Sequence, residues 1–367
     1  MAVLRWALAL IVVALLMPAA SASAAGAGMV LTMSNAKSAN NILVWSRAAN
    51  GSLTFAGRYA TGGRGTGGPL SNQGGLALSA DGQWLYAVNA GSDTIAVFRV
   101  AGTTLTRTDV ELSRGDRPIS IAVHGALVYV LNGGGKASVR GFTRDAQGRL
   151  TLINGSQRRL STAKPAPAQI GIDPSGANVL VSERATDRLT RYAVGPGGTL
   201  GAPQSFGSAG AEPFGFDFAS TGTLVVSEAG HHVNDGSSAS SYHLAANGTP
   251  TVISAAVPTT ETAACWTVVT PDGRFAYVTN TPDHSISGFW IAANGALSLL
   301  DADGRTAATG ADSLPIDIDA SADSRFLYVL TAGSHRILVF AVAADGSLGA
   351  LPGVAGLPAA ANGLVAR

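Results

Sequence analysis

The feature that most constrains this chain is an internal repeat. The stretch Pro271–Leu300, PDGRFAYVTNTPDHSISGFWIAANGALSLL, runs in parallel with Ala322–Leu351, ADSRFLYVLTAGSHRILVFAVAADGSLGAL. Ala80–Asp109 and Pro174–Pro203 keep the same frame, and weaker copies begin near His124 and Ser220. The turn positions Gly82, Gly125, Gly176, Gly222, Gly273 and Ser324 are 43 to 51 residues apart. That period is the length of a four-stranded propeller blade. Each unit divides into four short strands, a to d, rich in β-branched residues and punctuated by turns too close together for long helices.

The c–d turns follow the same rule. Asn50-Gly51, Gln147-Gly148, Gly197-Gly198, Asn247-Gly248, Asn294-Gly295 and Asp345-Gly346 are pairs that tolerate positive φ in a tight hairpin. Asn50-Gly51-Ser52 and Asn247-Gly248-Thr249 therefore read as hairpin turns rather than glycosylation sequons; Asn154-Gly155-Ser156 has the same sequon form. The first copy lacks its strand a, whereas the chain ends on Asn362-Gly363-Leu364-Val365-Ala366, a strand a with nothing after it. The expected fold is all-β: a seven-bladed propeller of four-stranded antiparallel blades, closed by the C-terminal strand completing blade 1. Closure of this kind removes an exposed sheet edge.

The N-terminus carries Arg5, an apolar run from Trp6 to Met17, and then Pro18 and small residues. This is the pattern of a secretory signal peptide, with cleavage expected after Ala22-Ser23-Ala24. The expected domains are thus a signal peptide at 1–24 and a single propeller at 25–367, in a secreted or periplasmic protein. The apolar run is short for a membrane anchor, and no later segment is long enough to span a bilayer.

Charge excludes one class of partner. With 24 Lys and Arg against 23 Asp and Glu, and no block of either sign, no nucleic-acid surface is expected. Cys265 is the single cysteine, so no disulfide is expected.

Tyr277-Val278-Thr279-Asn280 is the signature string of YVTN propeller repeats. With AACWTVVTPDGRFAYVTN, AQIGIDPSGANVLVSERATDRLTRY and EPFGFDFASTGTLVVSEAG, the chain resembles the seven-bladed lactonase family, which includes 6-phosphogluconolactonase-like and carboxymuconate lactonising enzyme-like proteins. The resemblance implies a His entering strand a of one blade, then an Arg-His pair at the same place in the next blade and a Glu ending its strand b. Those places hold Ala168 (followed by Gln169), Phe214-Gly215 and Glu228 in this chain.

Lactone hydrolysis needs a base for water and a donor or cation for the oxyanion. The repeat puts Asn35, Asn89, Asn132, Glu183, Glu228, Asn280 and Thr331 at the ends of the seven strands b. Glu183 and Glu228 occupy equivalent places in adjacent blades, so they are the expected acid–base pair at the channel mouth. The structural alternative is an ion pair of Glu183 with Arg184 or Arg188. Gln169, Phe214 and Trp266, entering strands a, are expected to line the ligand site with Asn132 and Asn280. A divalent cation is a further candidate, with His231, His232 and Asp235 as ligands beside Glu228, although their spacing follows no established zinc pattern. Gly63–Gly68 fits G-x-G-x-x-G, but no helix follows, so it reads as a d–a connection.

Two functions remain open at this point. One is a hydrolase acting on a sugar or related lactone, unphosphorylated because no Lys/Arg cluster marks a phosphate site. The other is a non-catalytic propeller that binds a partner or glycan.

Overall fold

The computed structural model describes residues 28–245 and 247–367. The expected signal peptide, residues 1–24, lies outside the described residues. The described chain forms seven antiparallel sheets arranged as blades. Their inner strands a are Asn362–Ala366, Leu76–Leu78, Pro118–His124, Pro167–Ile172, Pro213–Phe218, Ala264–Val269 and Pro315–Ala320, for blades 1 to 7. Among the described residues no helix is long and apolar enough to cross a membrane.

Closure is as the repeat predicts. Asn362–Ala366 pairs antiparallel with Gly28–Met33, with Leu364 opposite Thr32 and Val365 opposite Leu31. The turn glycines carry the positive φ that the hairpins demand: Gly82 lies at 64°, Gly148 at 85° and Gly346 at 88°. Ser324, standing where the other blades have Gly, takes 59°. In blades 3 and 6 strand d is split in two, and Asn154-Gly155-Ser156 falls in the first of these breaks.

The YVTN signature has a packing reason. Tyr277 Oη donates to Gly346 O at 2.8 Å, a bond from the strand b of blade 6 to the c–d turn of blade 7. Tyr129 does the same to Gly198 O, and Tyr328 to Gly51 O across the closed ring. A buried phenol needs such a partner, and for these three tyrosines the partner is the c–d turn of the next blade.

Pairing also corrects one assignment. Leu364 aligns with Leu76, which pairs with Ala87, so Thr32 is the counterpart of Ala87 and Ser34 that of Asn89. Strand b of blade 1 closes at Met33, and Ser34, not Asn35, stands in the place of Asn89. Asn35 sits one residue further, at φ 46°, and its amide donates to Gly68 O at 2.8 Å.

The long connection from blade 1 to blade 2 lies across the central channel. Gln73 N–H donates to Ala168 O of blade 4. Its side-chain amide clasps Thr267 of blade 6, donating to its O at 2.6 Å and accepting from its N at 3.0 Å. Asn72 accepts from Trp266 Nε1 at 2.8 Å and from Asn362 Nδ2 at 3.0 Å. The upper mouth is thereby separated from a cavity of about 340 Å³ in the channel below, lined by Gln169, Asp217, Asp317 and Asp319 among others.

These channel carboxylates tie neighbouring strands a together. Asp217 accepts from Val269 N, and Asp319 from Ala366 N of the closing strand, each at 2.8 Å. Desolvation in the channel pushes Asp217 up from 3.8 to about 6 and Asp319 to about 7, and it raises Asp317 well above 3.8. A carboxyl easier to protonate when folded contributes stability that is complete below 3.8 and is lost as pH rises toward about 7. Thermal melts are therefore expected to show Tm falling by a few degrees between about pH 5 and about pH 8. The double variant Asp217→Asn, Asp319→Asn should flatten that slope, and a Tm that rises through this window in the parent protein would refute the assignment.

Candidate functional site

The predicted site residues fall into three environments. Glu183 and Glu228 do end equivalent strands in adjacent blades, opposite Pro167 and Pro213. Both are completely buried and turned into their blades. Glu228 accepts from Gly210 N at 2.8 Å and from the hydroxyls of Ser208, Ser238 and Ser240 at 3.0, 2.6 and 2.7 Å. Glu183 accepts from Ser161 N at 3.0 Å, from the Ser161 hydroxyl and from Thr186 Oγ1 at 3.2 Å. Among the described residues neither forms an ion pair with an arginine, and neither lines the channel cavity or the two recesses at the mouth.

The partners show what these acids do. Ser161 and Ser208 lie in the connections that enter blades 4 and 5, so each carboxylate pins the loop leading into its own blade. A Cβ on Gly210 would run into Glu228 Oε2, which explains the glycine. Glu228→Gln replaces an acceptor oxygen with a donor facing donors. The expected loss of stability is about 2 to 4 kcal/mol, read from urea melts. A stability unchanged within error would refute the pinning role.

Asn132 and Asn280 belong to the same group. Both are buried, Asn132 donating to Ser113 O and Asn280 to the hydroxyls of Ser285 and Ser287. Gln169 faces the lower channel, where its amide clasps Phe216, donating to its O at 2.9 Å and accepting from its N at 2.7 Å. Phe214 and Trp266 are at the mouth, packed at a tilt of 55° with centroids 4.9 Å apart. Trp266 lines a small recess of about 110 Å³.

The chemistry-bearing cluster at the mouth between blades 4 and 5 is built around a residue the repeat did not single out. Glu212 precedes Pro213 at the entry to strand a of blade 5. It takes φ 58°, in a backbone region that proline disfavours for the residue before it. Arg117, Ala166 and Leu314 occupy the same pre-proline place in blades 3, 4 and 7 with φ of 53°, 47° and 49°. The strain is thus a property of the blade entry. What distinguishes Glu212 is the side chain placed there.

That side chain is 9% exposed and surrounded by titratable groups. Arg184 Nη1 is 3.6 Å from Glu212 Oε1, His232 Nε2 is 3.6 Å from the same oxygen, and His231 Nδ1 is 3.9 Å from Oε2. His231 Nε2 is in turn 3.3 Å from Asp187 Oδ1, and that oxygen accepts from Glu212 N at 2.7 Å. Glu212 Oε2 is buried without a hydrogen-bond donor. Arg184 lies over the Phe214 ring at 5.4 Å. Beneath the cluster, burial and the Glu212 charge push the Cys265 thiol up to about 12, so Cys265 is held as a neutral thiol.

His231 and His232 therefore meet Glu212 and Asp187, whereas Asp235 makes no ion pair with either and donates its N–H to Thr262 Oγ1. Among the described residues no group of three or more His, Cys, Asp or Glu is disposed to hold a metal ion, which corrects the expectation of a cation on His231, His232 and Asp235. The sequence signal for Glu212 was the Glu-Pro step at a blade entry, in register with Arg117-Pro118 and Ala166-Pro167.

The chain matches the model of the seven-bladed β-propeller lactonases over residues 38–159, 154–234 and 250–355. No curated protein matches it. Among solved structures, a candidate 6-phosphogluconolactonase from Bacteroides fragilis superposes with a TM-score of 0.73 at 16% identity, over 94% of this chain and 99% of that one. The Pseudomonas aeruginosa periplasmic gluconolactonase gives 0.71 at 19% identity, over 93% and 99%. A Lactobacillus plantarum protein gives 0.74 at 20% identity, over 92% and 98%. At these identities the likeness carries the fold and not the activity. The extent of the family match nevertheless settles membership: the chain belongs to the lactonase family of seven-bladed β-propellers.

Proposed function

We propose that the protein is an exported lactonase that hydrolyses a sugar or related lactone at the mouth between blades 4 and 5. The observation that carries this reading is Glu212, a buried carboxylate with one oxygen lacking any donor, flanked by a guanidinium and two solvent-facing imidazoles. Export rests on the signal-like N-terminus, and the lactone class on family membership.

In this reading Glu212 Oε2 takes a proton from water as the water oxygen bonds to the lactone carbonyl carbon. The carbonyl electron pair moves to oxygen, and Arg184 stabilises that oxyanion. Collapse breaks the bond between the carbonyl carbon and the ring oxygen, which leaves as a hydroxyl carrying the proton that Glu212 took from the water, passed on through His232, so that both side chains return to their starting state. Lactone and water give a hydroxy acid, whose proton is released to solvent. Proton release from a panel of lactones tests the activity directly.

The second reading is a non-catalytic propeller that binds a partner or glycan. Ala168, Phe214-Gly215 and the buried Glu228 favour it, because they leave the places implied by the family resemblance without their chemistry. It predicts no proton release with any lactone, and glycan binding at the same mouth.

A further inference from the structure

A recess of about 230 Å³ opens on the upper face between blades 3 and 4, beside the Glu212 cluster. Its walls include Leu70, Ile119 and Pro167, and two arginines, Arg117 and Arg184, line it. Arg117 comes from the pre-proline position of blade 3, the counterpart of Glu212 two blades away. Among the described residues no carboxylate forms an ion pair with Arg117; its one side-chain bond is a 3.3 Å donation from Nη2 to Leu70 O. Arg184 has a single carboxylate neighbour, Glu212 at 3.6 Å, and its Nε is buried with no hydrogen-bond partner.

Two guanidinium groups lining one small recess repel each other and keep unfilled donors. A carboxylate answers both demands, since its two oxygens match the planar fork of arginine and its charge offsets the pair. Arg184 touches the recess on one side and Glu212 on the other, so an anion held there is attached to whatever reacts at Glu212. The sequence shows no run of Lys or Arg; the fold makes this cationic pair from residues in different blades.

We propose that this recess is a carboxylate subsite, and that the preferred substrate is a lactone bearing a second acid group, as in a sugar diacid. This rests on the lactonase reading above, with Arg117 as a specificity residue that takes no part in bond breaking.

The test compares glucarolactone, which carries a free carboxylate, with neutral gluconolactone, in the parent protein and in Arg117→Gln. We expect kcat/KM to favour glucarolactone by about tenfold or more, and Arg117→Gln to erase that preference while leaving gluconolactone turnover unchanged. Calorimetric titration of open-chain glucarate into Glu212→Gln gives a second readout that needs no turnover. Binding there, weakened about tenfold or more when Arg117→Gln is added, supports the subsite even if no lactone is hydrolysed. Equal turnover of both lactones with no effect of Arg117→Gln overturns the subsite and leaves the lactonase reading standing. Preference for a phosphorylated lactone over glucarolactone through Arg117 overturns the carboxylate assignment, as does equal loss on both substrates.

Discussion

Glu212→Gln is expected to lower lactone turnover by at least about a hundredfold while leaving Tm within a degree or two of the parent. The substitution keeps the shape of the side chain and removes the base. It disturbs little else, because Glu212 Oε2 has no donor to lose and Oε1 has only ion-pair neighbours at 3.6 Å. This separates Glu212 from Glu228, whose carboxylate accepts four short bonds from Ser208, Gly210, Ser238 and Ser240. Glu228→Gln should melt earlier, and any activity lost should follow the folded fraction. Parent-like turnover in Glu212→Gln, measured by proton release, would remove Glu212 from the mechanism.

The second large effect concerns closure. Removing residues 362–367 takes away the inner strand of blade 1, which pairs with Gly28–Met33 and buries Leu364 and Val365. It also strips Asp319 of the Ala366 N–H and Met29 N of its acceptor, the Arg367 carbonyl. The ring then exposes the edge of Gly28–Met33 and an apolar flank of blade 7. The truncated chain is expected to lose most of its cooperative unfolding transition, with aggregation at ordinary protein concentrations. A sharp melt at the parent temperature would show that blade 1 is stable without its C-terminal strand.

The parts of this molecule that could be read from sequence are those the repeat encodes. Strand order, turn glycines and the closing role of Leu364-Val365 all follow from copies that align, because a pleated strand and a tight hairpin each demand particular residues at particular places. The slip at Asn35 shows the limit. An Asn near the end of a strand resembles its neighbours, but backbone pairing, which places Thr32 opposite Leu364, decides the register.

The site proposed here lies at the mouth between blades 4 and 5, where the sequence reading also put it, but it is built on Glu212, because Glu183 and Glu228 are buried in their blades. Glu183 and Glu228 stand out because most equivalent positions are Asn. Their burial depends on hydroxyls from other strands and loops, above all Ser208, Ser238 and Ser240. The alternation of Ser238 and Ser240 on one face of a strand was a readable hint. Glu212 escaped notice because it lies in a connection, where the copies diverge and where pairing with His231, His232 and Arg184 depends on how two blades meet. Arg117 lies in such a connection too, and Arg184, a candidate partner for Glu183 in the sequence, pairs with Glu212 instead.

The account stands or falls on where the ligand binds. A crystal structure of Glu212→Gln soaked with glucarate tests this most directly. The account predicts density at the upper mouth, in contact with Arg184 and His232, with a carboxylate reaching Arg117. Density in the lower channel against Asp217 and Asp319, with the mouth empty, would contradict it.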